Sequence, residues 1–423
     1  MILEVKDMQK KIFIALLCLL LSACSTSPSL SDKQVADIVI EALVANDMKT
    51  VRSYFNNDMK EKLTEKLLSD TLDDIKTNIE GDGNIVKSYQ EDNSYYYICD
   101  YDPQDLKFTI TIDNGKVAGL FVTYTNETVT LENNDNYDQK QVSIGEYGLN
   151  GVLTIPSSCD NCKVVLMIQG SGVSDYNETI GPNKPFEDIA IGLANNNIAS
   201  LRYNKRFYQY QELAMDNDYD LSDEYLDDID AAIELLSEEG FNDIYYLGHS
   251  QGGMFAHYEA SKHDSIKGLI LMASTSRSLM EVMIDQIADQ LDAQGFSEEG
   301  KATYLSTYYD YLNQIDALDA DSEETIMNIP AKYWYELKST SYANNVIDIP
   351  CLVLQGSADF QISVDKDFAL WKELLGDKAS YKLYDGLNHL MMPSIDGTME
   401  EYNIKANVDE RVIKDMADWI SNN

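Results

Sequence analysis

Residues 244–253 read Ile244-Tyr245-Tyr246-Leu247-Gly248-His249-Ser250-Gln251-Gly252-Gly253. An apolar, β-favouring run stops at a glycine, one serine follows with a second glycine two places on, and a helix-compatible segment continues over 254–262. This order predicts a strand, a sharp turn and a helix. Gly-x-Ser-x-Gly in that setting is a nucleophile elbow: the serine is held on a strained turn, and both flanking positions must lack a Cβ to clear the strand and the helix. A serine hydroxyl is a poor nucleophile at neutral pH, so the reading requires a base and a group that orients the base elsewhere in the chain.

The chain has four histidines, which makes the search for the base short. His249 lies inside the elbow, where its side chain is expected to point away from Ser250. His257 and His263 fall on or at the end of the following helix and are expected on its surface or at its C-terminus. His389 remains, in Asp385-Gly386-Leu387-Asn388-His389-Leu390, a glycine-containing loop right after the last expected strand. The acid is sought in the loop after the preceding strand, where the apolar run 351–355 ends at Gly356 and Ser357-Ala358-Asp359 follows. Asp359 is the candidate. Asp365 and Asp367 look like the first turn of the next helix, where carboxylates complement the macrodipole. Asp385 is the runner-up, close in sequence to the base it would have to orient.

Around these residues the pattern alternates. Residues 141–144 and 149–155 read as an antiparallel pair; then come a strand over 164–169, a helix over 186–195, a strand over 199–203, a helix over 225–239, the elbow, and a strand over 268–273. Strands near 352–355 and 380–383 and a closing helix over 408–420 complete the series. The central strands are continuously apolar, as strands buried on both faces should be, and the connections are long enough for crossovers. The expected fold class is α/β, a doubly wound, mostly parallel sheet over 140–423. The alternation breaks over 276–348, where helical pieces at 280–291 and 304–315 precede an aromatic stretch, Tyr333-Trp334-Tyr335. An insertion of that length between two strands is expected to cap the carboxyl ends of the strands, where a ligand would sit.

From about residue 141 onward the chain resembles the α/β-hydrolase superfamily, specifically bacterial serine esterases akin to acyl esterases and dienelactone-hydrolase-like proteins. The resemblance implies a triad in the chain order Ser250, Asp359, His389, acting on a small-molecule carboxylic ester with no metal and no organic cofactor. It also implies an oxyanion hole made by the backbone N–H of Gln251 and one from Gln169-Gly170-Ser171-Gly172, assigned to Ser171. The family usually has histidine before that first glycine; here Gln169 stands in its place. The stretch Ser-Gly-x-x-Asp-x-x-Glu-Thr of such proteins is present as 171–179, and Arg202-Tyr203-Asn204-Lys205-Arg206 resembles an Arg-Tyr-Asp-Lys-Arg pattern with Asn204 for Asp. In so acidic a chain those cations either anchor the loop through ion pairs or receive a substrate carboxylate. A peptidase or thioesterase on the same triad, or a binding lipoprotein whose fold has lost activity, are the alternative readings.

The amino-terminal part differs. Lys10 and Lys11 precede a short apolar run over 12–21 that ends in Leu21-Ser22-Ala23-Cys24, which resembles the lipobox of bacterial lipoproteins. It implies cleavage of a signal peptide over 1–23, lipid on Cys24, a tether over 24–30 and a mature protein held outside the cytoplasm on a bacterial membrane. Residues 31–124 read as helices followed by four alternating strands, with Asp113-Asn114-Gly115 as a hairpin turn, so a small α+β domain is expected. Its order and size resemble a bacterial domain of unknown function found amino-terminal to secreted hydrolases. A polar linker over 125–139 follows. Cys159-Asp160-Asn161-Cys162 sits in a polar turn and is expected to be a surface turn with a small local disulfide, and Cys351 is expected in the core. A formal net charge of -40 spread along the chain argues against nucleic acid and anionic lipid surfaces as partners.

Overall fold

The structure, a computed structural model, describes residues 30–423 apart from 77–79, 103–104, 126–130, 132, 160 and 216–217. The expected signal segment and Cys24 lie outside the described residues. Two compact units divide the chain, Met1–Tyr124 and Thr125–Asn423. Among the described residues no helix is long and apolar enough to cross a membrane.

The first unit begins with helices α1 (Asp32–Val44), α2 (Met48–Tyr54), α3 (Asn57–Lys62) and α4 (Glu65–Lys76). Ser31 and Gln34 form a reciprocal capping box that starts α1. A sheet of consecutive neighbours follows, β1 (Glu80–Glu91), β2 (Ser94–Asp102), β3 (Asp105–Asp113) and β4 (Lys116–Thr125). Asn114 and Gly115 both take positive φ between β3 and β4, which is the geometry a tight hairpin turn demands. Alternate residues of β3, Leu106, Phe108, Ile110 and Ile112, share one buried core with Val35, Val39 and Leu43 of α1.

The second unit is built on an eight-stranded sheet. Its strands are β5 (Tyr137–Ile144), β6 (Leu149–Pro156), β7 (Val164–Ile168), β8 (Ala199–Tyr203), β9 (Ile244–His249), β10 (Ile266–Met272), β13 (Cys351–Gly356) and β14 (Ala379–Tyr384). A two-residue hairpin, β11 (Thr325–Ile326) and β12 (Ile329–Pro330), lies between the last two pairs in sequence. The spatial order is β14-β13-β10-β9-β7-β8-β6-β5, with β5, β6 and β8 pairing antiparallel and all pairs from β8 to β14 parallel. Helices α5 (Pro185–Ala194) and α13 (Glu410–Asn422) cover one face. Helices α7 (Asp227–Glu238), α8 (Ala256–Lys262) and α12 (Ala369–Leu375) cover the other, and a short α6 (Arg206–Gln209) follows β8. On β7, Val164, Leu166 and Ile168 enter one core while Val165 and Met167 enter the other, so the apolar run reflects burial on both faces.

The unit differs from expectation at its start, because β5 begins at Tyr137. Asn133 and Asn134 accept hydrogen bonds from the backbone N–H groups of Gln139 and of Asn136 and Tyr137, so the segment expected as linker is drawn into the fold before residue 139. The insertion contains α9 (Leu279–Ala293), α10 (Glu298–Ala317) and α11 (Ala331–Ser339). The third of these covers the aromatic stretch and was not expected as a helix. Cys159 and Cys162 are disulfide-bonded, and Cys351 and Cys99 are free and buried.

Candidate active site

The sheet sets the site through one feature of its order. After β7 the chain moves one way to β8 and then returns to lay β9 on the other side of β7, and crevices for ligands open where strand order reverses. β7 and β9 pair with Ile168 opposite Gly248. Counting two residues on from each puts Gly170 level with Ser250. A Cβ at Gly170 would lie 3.1 Å from the Ser250 Cβ, so the loop after β7 runs against the serine.

Ser250 is half-buried, with φ of 51°, a left-handed conformation that costs a non-glycine residue energy. Its neighbours explain how the turn survives. A Cβ on Gly248 would sit 2.4 Å from the Gly252 carbonyl oxygen, and one on Gly252 would sit 2.5 Å from that of Ile168. Both glycines are required by close backbone approach. Residues Ser250–Gly253 form a single 3-10 turn before α8, so the N–H groups at the start of that turn, Gln251 among them, face outward from its amino end.

His389 and Asp359 come together. His389 Nδ1 lies 2.9 Å from Asp359 Oδ2, with the two side chains 5% and 0% exposed. Asp359 Oδ1 accepts from the N–H groups of Gln361 and Ile362, and Oδ2 also accepts from Gln355 Nε2. Four donors thus converge on this carboxylate, and an acceptor at that distance fits a donating Nδ1–H on His389, leaving Nε2 as acceptor. The His389 loop is fixed from behind: Asn388 donates to Glu401, and the Glu401 carboxylate collects the N–H groups of Ile395, Asp396 and Gly397. Gly356 admits this loop, since a Cβ there would lie 2.2 Å from the Leu387 carbonyl oxygen. Asp385 accepts from the Ser357 hydroxyl at 3.4 Å, and Asp365 and Asp367 stand in the first helical turn after Ser363 as expected, with Asp367 fully buried, accepting from Ser363 N–H and the Thr275 hydroxyl and pairing with Arg277.

His249 does more than point away from the serine. Its Nδ1 lies 2.9 Å from Glu178 Oε1 and its Nε2 3.0 Å from the His389 carbonyl oxygen, and its ring stands 4.6 Å from the His389 ring. Both ring nitrogens face acceptors, so the doubly protonated ring fits this setting. Burial opposes that charge, but the Glu178 carboxylate and the two hydrogen bonds outweigh it and raise the His249 pKa. Glu178 Oε1 also accepts from Gly170 N–H at 2.7 Å. The His249–Glu178 pair therefore ties the loop after β7, the elbow and the His389 loop together. The partners lie 71 and 140 positions away in the chain, which is why the sequence alone did not reveal the role. His257 is a second departure: it is buried against Tyr342 and Trp371 rather than on the surface, while His263 caps the end of α8 as expected.

Gln169, in the place of histidine, is buried and donates to the carbonyl oxygens of Tyr203 and Asp175. It holds the loop through backbone acceptors. Asp175 in turn accepts from Asn177, Thr179 N–H and the Thr179 hydroxyl, which closes the turn that aims Glu178. Ser171 is exposed beside the elbow. The cations of the 202–206 stretch are all buried and engaged: Arg202 with Gln139 and, at 3.8 Å, Glu187; Lys205 with Glu224; Arg206 with Asp228. They anchor loops and do not present a free charge to a substrate carboxylate. Asn204 accepts from Tyr176 N–H at 2.9 Å. A group of Asp230, Glu259 and His263 brings potential metal ligands within 4.8 Å of one another. Lys262 already stands 2.8 Å from Asp230 and 3.4 Å from Glu259, so this cluster carries its own cation.

Residues 184–394 match the family described as serine aminopeptidase, S33, and residues 36–120 match a protein family of unknown function, DUF3887. The chain is 30% identical over 404 residues to Esterase EstD of Thermotoga maritima, covering 92% of this chain and 95% of that one. Among solved structures it is similar to Est1E from Butyrivibrio proteoclasticus with bound ferulic acid, at 17% identity and a TM-score of 0.42, over 67% of this chain and 99% of the other. It is also similar to a puromycin-hydrolysing peptidase of Mycobacterium tuberculosis, at 12% identity and a TM-score of 0.43, over 79% and 46%.

Proposed function

The chain belongs to the serine aminopeptidase S33 family and is an esterase of the α/β-hydrolase fold, and from that premise we propose that it cleaves carboxylic esters through Ser250, His389 and Asp359. The observation that carries the reading is the buried His389–Asp359 pair at 2.9 Å on the loops beside a serine strained at φ 51°. Ser250 Oγ attacks the acyl carbon while His389 Nε2 takes its proton, and the carbonyl π electrons move to the oxygen. The N–H groups of Ser171 and Gln251 bind that oxyanion. Collapse expels the alcohol, which receives the proton from His389, and water repeats the sequence on the acyl-enzyme to release the acid. Asp359 holds the ring and stabilises its charged form.

An aminopeptidase would need a carboxylate free to meet the substrate's α-ammonium. Three carboxylates near the elbow are already paired with a base: Glu178 meets His249, Glu224 meets Lys205 and Asp359 meets His389. This supports the ester over the aminoacyl amide. The test is hydrolysis of a short-chain aryl ester alongside labelling by a fluorophosphonate probe. Ser250→Ala should lose both; labelling that persists in that variant overturns the assignment of the nucleophile.

The lipobox-like stretch supports a second part of the reading, a mature protein anchored outside the cytoplasm by lipid on Cys24. A disulfide at Cys159–Cys162 suits an oxidising compartment. Metabolic labelling with a fatty acid in a bacterial host checks this: label should enter the wild type and be absent from Cys24→Ser.

A further inference from the structure

We propose that Lys205, Glu224 and the cap residue Tyr333 are positioning residues for the oxyanion hole, joined in one buried polar circuit that fixes the peptide of Ser171 and the side chain of Gln251 together. The inference rests on the triad reading above. The circuit starts at the Gly170 carbonyl oxygen, which accepts from Lys205 Nζ at 3.2 Å and from the Tyr225 hydroxyl. Lys205 Nζ also meets Glu224 Oε1 at 2.5 Å and the Tyr225 oxygen at 2.6 Å, so its three protons have three acceptors. The other oxygen of Glu224 accepts from the Tyr333 hydroxyl at 2.7 Å. The Tyr333 oxygen accepts from Gln251 Nε2 at 2.9 Å. Lys205, Tyr225, Tyr333 and Gln251 are all buried, and burial pushes the Lys205 pKa down against the pull of Glu224.

The consequence follows from peptide geometry. In a planar trans peptide the C=O of one residue and the N–H of the next point to opposite sides. Holding the Gly170 carbonyl toward Lys205 and Tyr225 therefore turns the Ser171 N–H the other way. Gly170 N–H is already committed to Glu178, so the loop has little freedom to flip. At the far end, Gln251 is the residue whose own N–H is the second donor, and its side chain is held by the cap. Tyr333 sits on α11, whose Glu336 accepts from Ser222 N–H and whose Lys332 pairs with Asp218. The cap is thereby docked on the turn that carries Glu224. A single phenolic O–H connects this docking to both oxyanion donors.

Tyr333→Phe keeps the ring against Tyr219 and Trp334 and removes that O–H. Kinetics on the aryl ester should show kcat lowered about tenfold to hundredfold with KM within about threefold, less than the loss of an oxyanion donor itself. Lys205→Met and Glu224→Gln should do the same, and the affinity of a trifluoromethyl ketone, which forms a tetrahedral oxyanion on the serine, should fall in step with kcat/KM across the series. A purely structural role would lower the melting temperature and the active fraction without weakening the ketone relative to the ester. An unchanged kcat in Tyr333→Phe, or a loss confined to KM, overturns the proposal. Should Lys205→Met fail to fold, Tyr333→Phe alone decides. The two readings fail separately: activity retained by Ser250→Ala removes the triad, whereas an inactive Ser250→Ala beside a fully active Tyr333→Phe removes only the circuit.

Discussion

Asp359 shows how much one side chain can be asked to do. It accepts two backbone N–H groups, the Gln355 amide and the His389 ring, and all four partners are donors. An asparagine there has one acceptor oxygen and one NH2, so whichever way it turns, a donor meets a donor. Asp359→Asn should lower kcat by about a thousandfold or more with little change in KM, because the ring loses the partner that sets its tautomer; steady-state kinetics on the aryl ester check it, and a loss under tenfold would remove Asp359 from its role. At this scale the sequence was informative where counting sufficed. Four histidines, one of them in a loop after a late strand, singled out His389, and the loop before it supplied Asp359. Counting could not find Glu178, Lys205, Glu224 or Tyr333 as partners of the site, since their contacts join loops that only the closed sheet brings side by side. It also misjudged His257, whose burial depends on Tyr342 and Trp371 from distant segments.

The elbow helix α8 carries two titratable groups whose effects on stability have opposite signs. Burial holds His257 down to about 4 from 6.5, so folding favours its neutral ring. Its contribution is present above the unfolded value and is lost as pH falls from 6.5 toward 4. Burial pushes Glu259 up to about 8 from 4.5, ahead of the opposing pull of Lys262. Its neutral form is favoured in the fold, so stability is lost as pH rises from 4.5 through 8. Each group bends the stability curve by up to about 1.4 kcal/mol per pH unit inside its window. Glu259→Gln should therefore raise the melting temperature near pH 9 relative to its effect near pH 5, and His257→Gln should flatten the acid side; thermal melts across pH measure both. If Glu259→Gln destabilises more at pH 9 than at pH 5, the Lys262 pair outweighs burial. The elements themselves were mostly legible, because continuously apolar strands and the Asn114-Gly115 turn carry local signals. Helix α11 was not, since its aromatic residues fit a pocket wall as well as a helix until their partners are known.

For the whole chain, each unit holds its own core: one cluster draws only on the amino-terminal helices and strands, and the other two lie entirely within the hydrolase unit. The α/β class was readable from the alternation of patterns, and the insertion from its interruption. The boundary was not, because residues 133–139 are polar yet belong to the fold, with Gln139 holding the buried Arg202. A chain of residues 131–423 should keep ester hydrolysis, while one of residues 140–423, which cuts β5 short and removes the Gln139 partner of Arg202, should lose it. Circular dichroism and aryl-ester kinetics on both distinguish a lost strand from a lost site, and an inactive but folded 131–423 would assign the amino-terminal unit a part in the reaction.

The docking of α11 on the turn at 222 also orders events in time. Ser222 and Glu336 are 114 positions apart, so the ribosome delivers the turn at 222 long before the helix that docks on it. A nascent chain that already displays Ser250 still waits for Tyr333 and then His389. A polypeptide released before residue 389 lacks His389 and should be inert toward the aryl ester.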